Sequence, residues 1–491
     1  MNSGLLIHEG LVIALGLALL LADLWVPVSF RRKLGYLAAA GLGAILVYSA
    51  LFVSLGPGEV RYACNGMYAL DGLALYFKRF FLAAGILVLL MSAEFAAIET
   101  AIAEFYALML FALTGMLFAS SANNFALLFV SLELITVTFY VLTSFQRSRL
   151  VSLEAGVKYL IIGALSTAFT VFGIALAYGI SGTLDFAELA AVAEPLGGNG
   201  IFLFGLLLVM VGLGFKIAAF PFQIWAPDVY QGAPTPTTAF LAVGSKAAGF
   251  VLLLRLLFVA VPDITHQWAK LFIVISAITI LYGNLCAIPQ RNLKRLLGYS
   301  SIAHAGYMLL GIAALNAAGE SAVLFYLSGY LFTVLAAFTV ICVVLQHVEG
   351  EDISTLAGLP QRSPLLAWTL TLAMVSLAGI PPLAGFFGKF LLFKAALAEG
   401  ATRPAYYALV GIAIFGVIVS MYYYFGVVRV IFWSKPGPDV SPIKVPKSLR
   451  FSLYVCLLGM FFLGVYPNPV VNLASNAVSR LLAFVPPINA L

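Results

Sequence analysis

Residues 201–222 read I-F-L-F-G-L-L-L-V-M-V-G-L-G-F-K-I-A-A-F-P-F, and Lys216 is the one charged residue among them. A run of this length and polarity matches the hydrocarbon layer of a bilayer, which about 20 helical residues cross. Its second half is interrupted: Gly212, Gly214 and Pro221 surround the lysine, and Pro removes a backbone donor while Gly loosens the helix. The stretch 378–390, A-G-I-P-P-L-A-G-F-F-G-K-F, is built alike, with Gly379, Pro381, Pro382, Gly385 and Gly388 ahead of Lys389. A broken helix is tolerated at membrane depth only where protein or a water-filled cavity satisfies its backbone, and in transporters such breaks recur at equivalent places in two internal repeats. A simple kinked helix is the competing reading.

The rest of the chain agrees with a membrane setting. Of 491 residues, 63% are hydrophobic and 9% charged, with a mean hydropathy of +1.07. That composition excludes a soluble enzyme, a nucleic-acid binder and a disordered scaffold. Fourteen apolar runs are legible: 11–28, 34–55, 73–91, 105–119, 124–142, 153–180, 201–220, 235–261, 268–288, 296–315, 321–346, 364–398, 405–433 and 449–466. The expected fold is all-α and polytopic, with broken helices seven and twelve five spans apart. This interval suggests two repeats of five helices, 104–262 and 263–434, preceded by helices one to three (1–103) and followed by a loop and last helix (435–491).

An even number of spans returns the C-terminus to the side of the N-terminus. No Lys or Arg precedes the first run, and Arg31, Arg32 and Lys33 follow it, the reverse of a cleavable signal peptide. With the N-terminus outside, the inner loops hold Arg31, Arg32, Lys33, Arg147, Arg149, Arg291, Lys294, Arg295, Arg362, Lys435, Lys444, Lys447 and Arg450, against Arg61, Lys270, Arg403 and Arg480 outside. This asymmetry is the positive-inside pattern, and it accounts for the net charge of +6 without a polyanionic partner. Lys78, Arg79, Arg255, Lys394 and Arg429 lie towards run ends, where a long stem snorkels to the headgroups.

Other lysines need another account. Lys216, Lys246 and Lys389 sit well within spans, and Glu133, in V-S-L-E-L-I-T, is the matching acid in the fifth. A charge there costs on the order of 3 kcal/mol on insertion scales, so such residues read as an ion or proton path before they read as structure. Lysine suits the task because desolvation disfavours an ammonium while a nearby carboxylate favours it. Glu154 and Lys158 are spaced for a local i, i+4 pair, either part of the path or a structural ion pair near the surface. His304, two turns beyond the basic Arg291–Arg295 segment, reads as a hydrogen-bonded core residue or as a relay able to exchange protons near neutral pH.

Cys64, Cys286, Cys342 and Cys456 and the four histidines are dispersed, and neither a G-x-G-x-x-G nor a G-x-x-x-x-G-K-[ST] phosphate cradle is present. No metal or cofactor is therefore expected in this chain.

Two stretches carry a resemblance. Phe215–Lys246, F-K-I-A-A-F-P-F-Q-I-W-A-P-D-V-Y-Q-G-A-P-T-P-T-T-A-F-L-A-V-G-S-K, and Lys294–Tyr307, K-R-L-L-G-Y-S-S-I-A-H-A-G-Y, resemble the subunit N family of bacterial proton-pumping NADH:quinone oxidoreductases, complex I. The likeness runs over most of the chain. It implies two inverted five-helix bundles, an architecture shared with subunits L and M and with cation/proton antiporters. By motif position it implies that Glu133 is the family's fifth-helix glutamate, Lys216 and Lys246 its seventh- and eighth-helix lysines, and Lys389 the twelfth-helix lysine at the outlet; Glu154, Lys158, Lys294 and His304 are read beside them as supporting residues.

The function so implied is proton translocation driven by quinone reduction in partner subunits, which would hold the FMN, the iron–sulfur clusters and the quinone. The partners implied are the antiporter-like subunit M, the small subunits beside it and membrane lipid, in a bacterial inner membrane with both termini periplasmic. Gln223, in P-F-Q-I-W, departs from the histidine of many relatives and cannot titrate. A stand-alone cation/proton antiporter would use the same buried lysines without a redox partner, and a structural spacer would need none of them.

Overall fold

In a computed structural model, residues 3–56, 58–348, 350–437 and 441–479 are described; Arg480, counted above among the outer charges, lies outside them. Among the described residues, thirteen helices are long and apolar enough to cross a membrane, and the remaining run of the fourteen expected above, the twelfth, is two 15-residue helices in place of one span. The chain is a multi-pass membrane protein.

The first spans are α1 (Ile7–Asp23), α2 (Lys33–Phe52), α3 (Gly72–Glu94), α4 (Ile102–Ser120), α5 (Phe125–Thr143) and α6 (Leu150–Ser181). A short α7 (Phe186–Leu196) precedes α8 (Gly200–Ile217) and α9 (Trp225–Gly232). The eighth span runs through α10 (Thr235–Phe240), a π-helical turn (Leu241–Ser245) and α11 (Lys246–Arg255). Next come α12 (Ala269–Ala287), α13 (Leu293–Ala313) and α14 (Ala317–Val344), then a one-turn α15 (Leu359–Arg362), α16 (Pro364–Ala378) and α17 (Ala384–Ala398). The last are α18 (Ala405–Trp433), α19 (Lys447–Val465) and α20 (Asn468–Val478). Between α2 and α3 a two-stranded antiparallel hairpin pairs β1 (Arg61–Ala63) with β2 (Tyr68–Leu70).

Polar residues at the span ends do the capping that bulk water cannot. Asp71 accepts from Ala74 N, Asn124 from Ala126 N, Asn199 from Ile201 N, Asn292 from Arg295 N and Asn316 from Gly319 N, satisfying donors that each helix start leaves open. The eighth and tenth spans are 94% buried over their apolar windows and α6 22%. The former make the centre, and α6 forms an outer wall.

Lys78 and Arg255 do not snorkel. Lys78 is fully buried, paired with Glu9 of α1 and donating to Leu117 O at 3.0 Å. Arg255, equally buried, donates to Ser120 O at 2.7 Å and to Asp71 at 2.8 Å. Helices α1 and α4 close over these positions and supply acceptors, so inward burial replaces exposure at the headgroups.

Candidate functional site

Lys216 stands in the last turn of α8. Ala218 then turns left-handed (φ 58°), and the chain stays irregular up to α9. The freed backbone is satisfied locally: Ala219 N donates to Gly214 O at 2.9 Å, Trp225 Nε1 to Phe215 O at 3.0 Å, and Phe220 N to Thr279 Oγ1 at 3.1 Å. This is the buried, re-satisfied break that membrane depth requires. The Lys216 ammonium lies 3.4 Å from the Tyr159 hydroxyl.

Glu133 and Lys216 line one small cleft between α5, α6 and α8. Glu133 accepts from Thr167 Oγ1 at 2.7 Å, and among the described residues no ion pair joins it to the lysine. The acid therefore faces the lysine across this cleft without touching it.

Helix α11 packs on α8 through Gly249, where an added Cβ would lie 3.1 Å from Lys216 Cβ. Lys246 is one turn away on the same face, delivered by the π-helical turn, in which Lys246 N bonds Leu241 O. Such wide turns recur at functional sites. Its ammonium is buried and donates to Ser301 O at 2.5 Å and to Ser301 Oγ, whose hydroxyl also pairs with Tyr230 at 2.9 Å.

One turn along α13, His304 is hydrogen-bonded at both ring nitrogens, Nδ1 to the Tyr326 hydroxyl at 2.5 Å and Nε2 to that of Tyr424 at 3.1 Å. Tyr424 is in turn bonded to Ser300. The Tyr307 ring lies beside the His304 ring, at 6.0 Å between centroids, and the Lys389 ammonium is 4.9 Å from its centroid. Lys216, Lys246, His304 and Lys389 thus fall along one buried row, the first two brought together by the packing of α11 on α8 and the last two by the Tyr307 ring that both flank.

The two breaks are built differently. Lys216 precedes its break, whereas Lys389 follows its own and reaches back across it, donating to Leu377 O at 2.8 Å and Ala378 O at 3.2 Å. Those are terminal carbonyls of α16, so the ammonium caps the negative end of that helix. Gly379 between them has φ 87°, and a Cβ there would meet the lysine stem at 3.0 Å, so glycine is needed both for the turn and for the approach.

Of the four supporting residues, His304 lies in this row and the other three sit apart from it. Glu154 and Lys158 form the expected pair at 2.7 Å, and Lys158 also reaches Asp228 of α9 at 2.6 Å. Asp228, which sequence reasoning missed, is paired with Arg295 as well. Lys294, counted above with the loop charges, is 1% exposed and bonded to Glu351 at 3.0 Å. Gln223 is buried between the break and α9, with Oε1 unpartnered.

Glu351 lies in the connection after α14 and also binds Arg149 at 3.1 Å and Asn292 at 3.1 Å. Burial opposes its charge, but Lys294 and the Asn292 hydrogen bond hold the carboxyl below the usual carboxylate range. An unfolded glutamate titrates near about 4.3. The stabilisation is therefore complete above that value and is lost as pH falls through the lower folded value. Glu351→Gln is expected to lower the thermal midpoint at neutral pH and to flatten its decline on acidification; an unchanged acid slope would remove Glu351 from the acid response.

Residues 122–420 match the family described as NADH:quinone oxidoreductase/Mrp antiporter, TM. The chain is 40% identical over 480 residues, 97% of its length and 98% of the relative's, to NADH-quinone oxidoreductase subunit N of Moorella thermoacetica. Among solved structures it is similar to a chain of respiratory complex I from Thermus thermophilus with bound aureothin, with a TM-score of 0.79, 33% identity, and 95% and 99% of the two chains covered. A chain of the archaeal membrane-bound sulfane sulfur reductase aligns with a TM-score of 0.85 and 26% identity, over 97% and 99% of the two chains.

Proposed function

We propose a proton route through this chain, which belongs to the subunit N family of the NADH:quinone oxidoreductases. It is a proton-translocating membrane-arm subunit of the translocase that couples NADH oxidation by quinone to proton movement. The observation that supports the route best is the buried row itself, with Lys216 beside the Tyr159 hydroxyl, Lys246 on Ser301, His304 one turn along the same helix, and Lys389 against the Tyr307 ring that also flanks His304.

In this reading Glu133 tunes Lys216 across their shared cleft, favouring its charged form when the carboxylate is ionised and releasing it when the carboxylate is not. Lys246 passes the proton laterally to Ser301, and His304, held at both nitrogens by hydroxyls, bridges to Lys389, which releases it outward. The Glu154, Lys158, Asp228 and Arg295 cluster and the Lys294–Glu351 pair hold the two sides of the route in register. The helices divide as two five-helix repeats, 104–262 and 263–434, each contributing a broken helix.

FMN, iron–sulfur clusters and quinone belong to partner subunits, with subunit M and the small subunits as membrane neighbours. The chain sits in a bacterial inner membrane with both termini on the periplasmic side.

Tagging the chain, extracting it in mild detergent and staining a native gel for NADH oxidation by an artificial acceptor tests this. Co-migration with a large NADH-oxidising assembly is the expected result. Migration alone and without that activity would favour a free-standing cation/proton antiporter, and migration in a large assembly without it would favour a complex fed by a different electron donor.

A further inference from the structure

A cavity of about 810 Å³ opens between α2, α3, α14, α19 and α20, away from the row of lysines. That volume is within the range of about 300–1,000 Å³ seen for small-molecule sites. Much of its wall is apolar, with Phe80 and Ala83 of α3, Leu331 and Phe332 of α14 and Phe462 of α19.

Two arginines line the same space. Arg79, seven residues into α3, is about 10 Å below its start. Its Nη2 donates to Ser49 O at 2.7 Å and Val53 O at 2.8 Å, and among the described residues no carboxylate pairs with it. Arg255 spends Nε on Ser120 O and Nη2 on Asp71, while its Nη1 is buried without a partner among the described residues. The two acids of the lining are engaged elsewhere, Asp71 by Arg255 and Glu59 by Arg61 at 2.7 Å. A fixed cation without a counter-ion faces an apolar cavity at membrane depth, where an unpaired charge is costly.

We infer that this cavity binds a phospholipid, its phosphodiester on Arg79 and an acyl chain along Phe80, Phe332 and Phe462. A neutral amphiphile such as a quinone would leave the cation unanswered, and free phosphate would leave the apolar wall empty. The site takes no part in the proton route and does not depend on it.

The intact complex, reconstituted in phosphatidylethanolamine and phosphatidylglycerol vesicles containing a trace of phosphatidylglycerol with a photoreactive diazirine in its acyl chain, provides the test. Irradiation should label peptides containing Phe80–Ala83 and Leu331–Phe332. Arg79→Gln should reduce that labelling about ten-fold, as loss of a charge-assisted hydrogen bond implies, whereas Arg79→Lys should keep most of it. Ala83→Trp, which fills the cavity, should abolish it. Labelling at Phe415 and Ile418, exposed on α18, should be equal in all variants and so reports correct insertion. The inference is overturned if Arg79→Gln is labelled like the wild type, if a diazirine diacylglycerol labels the cavity as strongly, or if only the α18 face is labelled.

Discussion

In reconstituted vesicles, Lys389→Gln should cut NADH-driven proton pumping by about 100-fold or more, the scale of losing one positioned proton-transfer group. NADH oxidation by an artificial acceptor should be unchanged. The substitution separates two tasks of this side chain. Its ammonium donates to the carbonyls of Leu377 and Ala378 at the end of α16, and a glutamine amide still offers N–H donors there. What glutamine lacks is a proton to exchange. Lys389→Met removes both tasks and leaves two buried carbonyls unmet, at about 1–3 kcal/mol each, so that variant should lose thermal stability as well as pumping. Wild-type pumping by an assembled Lys389→Gln complex would take Lys389 out of the route.

Lys78→Met should destabilise the protein by about 3–5 kcal/mol, because it strands a buried carboxylate. Glu9 is 1% exposed and Lys78 fully buried, so water cannot replace the lost partner. The double variant Lys78→Met with Glu9→Leu should recover most of that loss, since a well-packed apolar pair of similar volume is often neutral or stabilising where a buried ion pair stood. Tyr68, whose hydroxyl lies 3.3 Å from both Glu9 oxygens, keeps its bond to Leu5 O at 3.0 Å in either case. Thermal unfolding of the purified complex, followed through retention of the N-terminal helices, checks both. A single variant as stable as wild type would mean that Glu9 is uncharged in the fold.

Most of the spans, the two breaks and the four central ionisable residues were legible because each follows or violates a simple pattern, whereas among the described residues thirteen of the fourteen runs are helices long enough to cross, the twelfth being two short helices. An unbroken apolar run reports a helix, and a lysine or a Gly-Pro cluster within it stands out. Tyr230, Ser300, Ser301, Tyr326 and Tyr424 were not legible, since tyrosine and serine are ordinary in packed helices; only the convergence of α9, α13, α14 and α18 reveals that their hydroxyls gather around Lys246 and His304. Asp228 was hidden for a similar reason, its partners being 67 and 70 positions away. Lys78 and Arg255 were misplaced because position along a run does not say which face of the helix a neighbour covers. The likeness between the two breaks was visible as Gly, Pro and Lys in one neighbourhood, but not that one lysine stands before its break and the other folds back over it.

Helix α6 has 32 residues and, at 1.5 Å per residue, measures about 48 Å, enough to run alongside both pieces of the seventh span. Near its start a Cβ added to Gly232 of α9 would strike Val151 and Ala155; farther along, Gly212 and Gly205 of α8 are pressed as closely against Thr170 and Gly173. Small residues at these places let the backbones touch, and Lys158 ties the α9 end by its ion pair to Asp228. The long helix therefore works as a splint along a fracture. The two fragments cannot change their mutual angle independently: any flexing at residues 218–224 must either slide along this rod or unfasten its ionic strap, so the gap beside Lys216 is held at one width.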